Sequence, residues 1–236
     1  SVDREAFRDM CRKFAEREVK PRWQQADREA RFPREFFVAA AKAGLIGVHA
    51  PEALGGADLG VFEEAIAIEE MAKANPNLAV APLIQGVAGA LLCEHGHEAH
   101  HQLARANHAG ECLLALAVTE PEAGSDVQAL KTTARRDGGD WLLDGIKSFI
   151  TLGGDCDVML VLARTDPGKG RHGMHFFAVD RKTPGIETSQ IKTYANRPVP
   201  TYRVTFNDAR VPESRRLSAG FGAIMAGFNR ERVMVA

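Results

Sequence analysis

The sequence predicts an α+β protein in three consecutive parts: an N-terminal all-α domain over 1–112, an antiparallel β-barrel domain over 113–217, and the first helix of a helical bundle domain over 218–236. Three observations carry this. Apolar residues recur at helical spacing up to about residue 108, the period changes to two after residue 111, and helical composition returns at Gly220. Strand after strand with no helix between them excludes a βαβ arrangement and points to antiparallel pairing.

The helical part begins with Phe7, Met10, Cys11 and Phe14, whose i, i+3, i+4, i+7 spacing places them on one helix face. Pro33 starts a second run, "PREFFVAAAKAG", and Gly44 is its expected stop. A Gly-rich loop, "APEALGGADLG", leads to "VFEEAIAIEEMAKAN", "LAVAPLIQGVAGALLCEHG" and "HEAHHQLARANHAG", in which Met and Phe are read as core. The β part opens with "ECLLALAVT", a short apolar run stopped by Pro121 and so a buried-strand candidate. "KTTARR" alternates, and "DWLLDGIKSFIT" contains Asp144-Gly145, a hairpin-turn dipeptide. "DVMLVLAR", "MHFFAVD" and "TYRVTFNDARV" follow, the last with Tyr202, Val204 and Phe206 on one face.

Composition narrows the function. Hydrophobic residues at 45% and charged residues at 26% are ordinary for a globular protein large enough for a real core. A formal net charge of −1 gives no basic surface for nucleic acid. No apolar run approaches a membrane span of roughly 18–20 residues, and the mixed-charge N-terminus lacks a signal peptide's apolar core. Cys11, Cys93, Cys112 and Cys156 lie far apart with no CxxC pair, which suits reduced thiols and a cytoplasmic location.

Two short motifs invite chemistry. "GKGRHG" at 168–173 fits G-x-G-x-x-G, but a strand follows where a dinucleotide site needs a helix, so a loop is the better reading. "HEAHH" at 97–101 fits H-E-x-x-H, with His97 and His101 as ligands and Glu98 as base of a zinc hydrolase. It lacks a third ligand, and a solvated helix start with Glu98 at the positive end of the dipole explains it. No metal is expected. No G-x-S-x-G elbow occurs, and no cysteine has a histidine partner at a known spacing.

The remaining signal is "VTEPEAGSD" at 118–126, a dense turn directly after an apolar strand. With its surroundings, "LALAVTEPEAGSDVQALKTTARRDGGDWLLDGIKSFITLGGDCDVMLVLART", it resembles the central β domain of the acyl-CoA dehydrogenase family. The parts occur in order: a strand ending T-E-P-x-A-G-S-D, a K-T-x-A strand, a D-G-x-K segment, an aromatic-I-T-x-G turn and a strand ending A-R-T-D. "AGLIGVHAPEALGGADLG" and "VTFNDARVPESRRL" extend the resemblance over essentially the whole chain. It implies an oxidoreductase of fatty acid metabolism that binds FAD along Leu116, Val118, Thr119, Gly124 and Ser125, with Phe149, Ile150 and Thr151 at the ring. Phe149 stands where the family usually has tryptophan, keeping a stacking surface and losing the indole N–H. Gly124 permits close backbone approach to a pyrophosphate, and Ser125 also reaches the CoA moiety.

The implied reaction is α,β-dehydrogenation of an acyl-CoA thioester: a carboxylate removes the α-proton and hydride passes to flavin N5. Electron-transfer flavoprotein is the implied electron acceptor, and a homo-oligomer, dimer or tetramer, the implied assembly. Family members continue into a helical domain of roughly 150 residues on domain-size grounds, of which only the first helix is expected here. In "FNRERV", Glu231 precedes Arg232 as in members that carry the base on this helix; Asn229, Arg230 and Arg232 are the expected substrate-side residues. The alternative is a non-catalytic subunit or incomplete fragment of a heteromeric enzyme, and the zinc hydrolase is third.

Overall fold

The computed structural model describes residues 3–235. Helix α1 (Arg4–Phe14) starts where the Asp3 carboxylate accepts the backbone N–H groups of Glu5 and Ala6 at 3.1 Å. It continues as a π-helical turn, Ala15–Val19, to α2 (Trp23–Glu29). Helix α3 (Arg34–Lys42) follows Pro33 and closes at Gly44, where the Leu45 N–H returns to Ala40 C=O. Helices α4 (Val61–Ala74), α5 (Pro76–His95) and α6 (Glu98–His108) complete the helical layer. Asn75 caps α5 by accepting the Leu78 N–H at 3.0 Å, one residue ahead of Pro76.

Phe36, Phe37, Met71 and Leu78 are buried as expected, but two apolar residues stand outside. Met10 is partly exposed, and the exposed Phe62 ring lies under the Arg4 guanidinium at 4.5 Å. Helix α5 also departs from expectation. By length and composition it could cross a membrane, yet 72% of its most apolar window is buried inside the protein, so it is the central core helix.

Seven strands form one curled sheet: β1 (Leu114–Ala117), β2 (Thr133–Asp137), β3 (Asp140–Thr151), β4 (Val158–Arg164), β5 (Met174–Asp180), β6 (Ile186–Ile191) and β7 (Thr201–Pro212). Their order is β1-β4-β2-β3-β7-β6, with β5 on the other side of β4. The helical-then-β class is as expected, with a difference in pairing: β4 runs parallel to β1 and meets β2 in parallel at one position, while the remaining pairs are antiparallel. Strand β6 carries mostly polar residues and has no clear alternation in sequence.

The Asp144-Gly145 hairpin is corrected. The β2–β3 turn lies at Gly138-Gly139, and Gly145 sits within β3 at a bulge against β7. A side chain at 145 would put its Cβ 2.7 Å from the Thr132 Cα, so the glycine serves close packing between strands, at φ 146°.

Strand β4 shows why the sheet is apolar on both faces. Val158, Leu160 and Leu162 face a core shared with α5, α6 and helix α7 (Phe221–Val235). Met159, Val161 and Ala163 face the inside of the curl, against Leu143, Phe177, Val204 and Phe206. Alternation remains in the backbone, but both faces are covered, so it vanishes from the sequence.

Helices and sheet are joined by a polar clasp. Gln85 on α5 accepts the Leu114 N–H at 2.8 Å and donates to the Leu114 C=O at 3.0 Å, pairing with β1 as a strand would. Asn107 on α6 donates to Gln85 Oε1 and to Cys112 C=O, both at 2.8 Å, and both side chains are fully buried. Gln85→Leu strands the two Leu114 groups, and the expected loss is about 1–3 kcal/mol for each. Urea unfolding reads it as a lower midpoint; an unchanged midpoint would show that the clasp holds nothing.

Candidate functional site

The 118–126 turn leaves β1 and is fastened at three points. Glu120 and Ala123 exchange backbone hydrogen bonds at 3.0 and 3.2 Å, closing the turn on itself. The Ser148 N–H donates to Thr119 C=O at 2.9 Å, and Lys147 Nζ donates to Val118 C=O at 2.9 Å. Asp126 caps the short 3₁₀ turn that follows by accepting the Gln128 N–H.

Beneath the turn lies a buried ion pair. Lys147 Nζ stands 2.9 Å from Glu120 Oε1, with the Lys side chain at 0% and the Glu side chain at 5% exposure. The same carboxylate accepts the N–H groups of Lys131 and Thr132 at 2.6 and 2.9 Å. Burial drives the Lys147 ammonium down to about 8 against the upward pull of Glu120. Burial pushes the Glu120 carboxyl the other way, but Lys147 and the backbone donors outweigh it and hold it below its ordinary value. Lys147 shares the inward parity of Trp141 and Leu143 on β3. An inward lysine was therefore legible in the strand period; its partner in T-E-P was not.

Beyond Lys147 the β3–β7 register slips, freeing Ser148 to bond the turn. Phe149 takes a left-handed φ of 58° and holds its ring 64% exposed beside that bond. An aromatic residue in this region costs about 1–3 kcal/mol, a strain typical of functional sites. Gly124 and Ser125 are exposed, and a Cβ at Gly124 would meet nothing within 4 Å, so the backbone of the turn faces open space.

Of the expected cofactor residues, Gly124, Ser125 and Phe149 are exposed, and Thr119 is half-buried with its C=O bonded to the residue before Phe149. Thr151 is half-buried and pairs with Thr201. Leu116 is half-buried against two cores, while Val118 and Ile150 have side chains in the core.

Helix α7 packs on α4 and α5. Its Glu231 is half-buried, and burial pushes the carboxyl above its ordinary value, with Arg232 drawing it partly back. Arg232 donates to Asn229 Oδ1 at 2.9 Å, and both are exposed. Arg230 turns inward instead, to His49 and Glu94. A cavity of about 440 Å³ opens beside the start of α7. Arg171 and His172 of the β4–β5 loop, with His175 on β5, give it polar walls. This is where "GKGRHG" lies, as a short helical connection between antiparallel strands.

The H-E-x-x-H stretch has a capping role. His100 Nδ1 accepts the His97 N–H at 3.2 Å, and the two rings meet edge to face at 4.2 Å. Among the described residues, no group of three His, Cys, Asp or Glu side chains is placed to hold a metal ion.

A helical layer, a curled half-barrel and a returning helix, with a T-E-P-x-A-G-S-D turn clasped to a bulged strand, define the class: a helical domain followed by a half-barrel domain that share one core helix. The acyl-CoA dehydrogenase N-terminal domain model matches residues 1–104 and the acyl-CoA dehydrogenase middle domain model matches 115–209. The chain belongs to the acyl-CoA dehydrogenase family. It is 34% identical over 239 residues to an acyl-CoA dehydrogenase of Bacillus subtilis (strain 168), covering 98% of this chain and 62% of that protein. A chain in a structure of the electron transferring flavoprotein of Acidaminococcus fermentans superposes with TM-score 0.94 at 28% identity, covering 100% of this chain and 63% of that one. A glutaryl-CoA dehydrogenase of Mycobacterium smegmatis in complex with FADH2 gives TM-score 0.91 at 26% identity, covering 98% and 60%. The chain thus spans about three fifths of the length of the relatives it matches.

Removing one partner of a buried pair leaves the other charge stranded. Lys147→Met is expected to cost about 3–5 kcal/mol, and adding Glu120→Gln to recover part of it. Denaturant midpoints of the two variants decide; a double variant no more stable than Lys147→Met would mean the stranded Glu120 charge is not the cause.

Proposed function

We propose that the protein catalyses FAD-dependent α,β-dehydrogenation of an acyl-CoA thioester. The observation that carries this is the open edge of the turn at Gly124 and Ser125, tied through Thr119 to the residue before the exposed, strained Phe149. That edge fits a flavin: an unencumbered backbone with a hydroxyl for phosphate oxygens, and an apolar ring face for stacking. Phe149 and Thr151 would hold the ring, Thr119 its polar side, and Gly124 with Ser125 the pyrophosphate. Bound FAD supplies the hydride acceptor.

Glu231 removes the α-proton. Its raised carboxyl is better matched to abstraction near neutral pH than an exposed glutamate, because a base works best with its pKa near the working pH. Arg232 and Asn229, exposed on the same helix, contribute substrate contacts. The cavity beside α7 offers Arg171 and His172 to the phosphates of CoA. Electrons leave to an electron-transfer flavoprotein, and the assembly is a homo-oligomer. These assignments concern the whole protein's activity; the chain spans about three fifths of the length of the relatives it matches.

The test is the flavin absorbance of the full-length protein, roughly 350–500 nm, before and after a saturated acyl-CoA. Bleaching by the wild type and a loss of bleaching rate of about 10²-fold or more in Glu231→Gln are expected. A wild-type rate in Glu231→Gln would remove Glu231 as base. Turnover should fall as pH drops through the Glu231 pKa, since the protonated acid cannot accept the α-proton. This acid limb should lie above the range of an ordinary glutamate. An acid limb unchanged in Glu231→Asp would assign it to another group.

A further inference from the structure

Successive residues on a helix diverge by about 100°, and on α7 the residue before the candidate base faces the helical layer. Arg230 is only 21% exposed; its Nη1 lies 3.1 Å from His49 Nε2 and its Nη2 donates to Glu94 Oε1 at 3.0 Å. A guanidinium only donates, so His49 Nε2 must be the accepting nitrogen and Nδ1 carries the proton of the neutral ring. Nδ1 faces Glu64 Oε2 at 2.7 Å, with the two side chains at 8% and 4% exposure. The approach is bent away from a linear hydrogen bond, so it acts as a short electrostatic contact. Glu64 reaches this position because α5 carries Gly86 beside it: a Cβ there would stand 2.0 Å from Glu64 Oε1.

Four elements thus meet at one imidazole. Glu64 comes from α4, Arg230 from α7, and Glu94 from the end of α5 through Arg230. His108 on α6 is the other titratable neighbour, its own pKa lowered by burial and by His49. We infer that His49 is a positioning residue that fixes α7, and with it Glu231, against the helical layer by accepting from Arg230 while Glu64 holds its other nitrogen. The inference rests on the dehydrogenase reading for its kinetic consequence, and on geometry alone for its structural one.

The experiment compares full-length wild type, His49→Leu and His49→Gln. Glutamine can accept from Arg230 through its amide oxygen and donate to Glu64, whereas leucine can do neither. In His49→Leu, kcat should fall about ten- to a hundredfold through misplacement of the base, with KM within about threefold. His49→Gln should regain most of the turnover. Hydrogen exchange supplies the readout independent of catalysis: amides of 221–235 should exchange faster in His49→Leu than in His49→Gln, with the β3–β7 amides unchanged. Equal behaviour of leucine and glutamine variants overturns the inference, as does a loss confined to KM, which would make Arg230 a substrate contact. If wild-type flavin is never bleached by an acyl-CoA, the functional reading fails while the exchange comparison still decides the joint.

Discussion

A lysine ammonium and a glutamate carboxylate inside a hydrophobic half-barrel impose more order than any apolar contact around them. Neither charge tolerates that environment alone, so every group satisfying them must be in place at once. For Glu120 and Lys147 those groups are the end of β1, the 118–126 turn, the start of β2 and the bulged part of β3. Such pairs contribute little net stability compared with a well-packed apolar substitute. Here the pair specifies which backbone atoms face inward, leaving Gly124, Ser125 and Phe149 outward. The exposed edge is a by-product of how the interior is satisfied.

The second constraint is the double cover of β1, β4 and β5. Strands with both faces buried need a helix layer on one side, and α5 provides it. Gln85 extends the sheet's hydrogen bonding into that helix, so the layers share a polar joint as well as an apolar one. The connector into α7 continues the pattern: the Leu217 N–H donates to Phe176 C=O, the Phe176 N–H donates to Ala219 C=O, and Ser218 donates to His95 C=O. Helix α7 is therefore aimed by strand β5 and the end of α5.

Much of this was legible in the sequence because the relevant signals are local. The period change near residue 111, the helix start at Pro33 and the T-E-P-x-A-G-S-D turn depend on nearby residues. What escaped depends on neighbours distant in the chain. Asp144-Gly145 carries a strong hairpin signal, yet Gly145 answers the approach of Thr132. The parallel pairing of β1 with β4 skips over two intervening strands, which no periodicity records. Strand β6, at the sheet edge, has too little buried surface to produce alternation. At the site, Gly124, Ser125 and Phe149 are exposed, whereas the side chains of Val118 and Ile150 lie in the core. Arg230 was expected on the substrate side, and the helix phase that turns it toward His49 is set by packing against α4 and α5.

The placement of α5 bears on synthesis of the chain. This helix leaves the ribosome about twenty residues before β1 and some eighty before β5, the strands that share its core. Its apolar neighbours on α7, Ile224 and Met234, arrive later still. A segment apolar enough to enter a bilayer thus waits, nascent and uncovered, while most of the sheet is translated. Helix α4, already made, shields one side in the interval. The other side is the natural place for a chaperone to bind the growing chain.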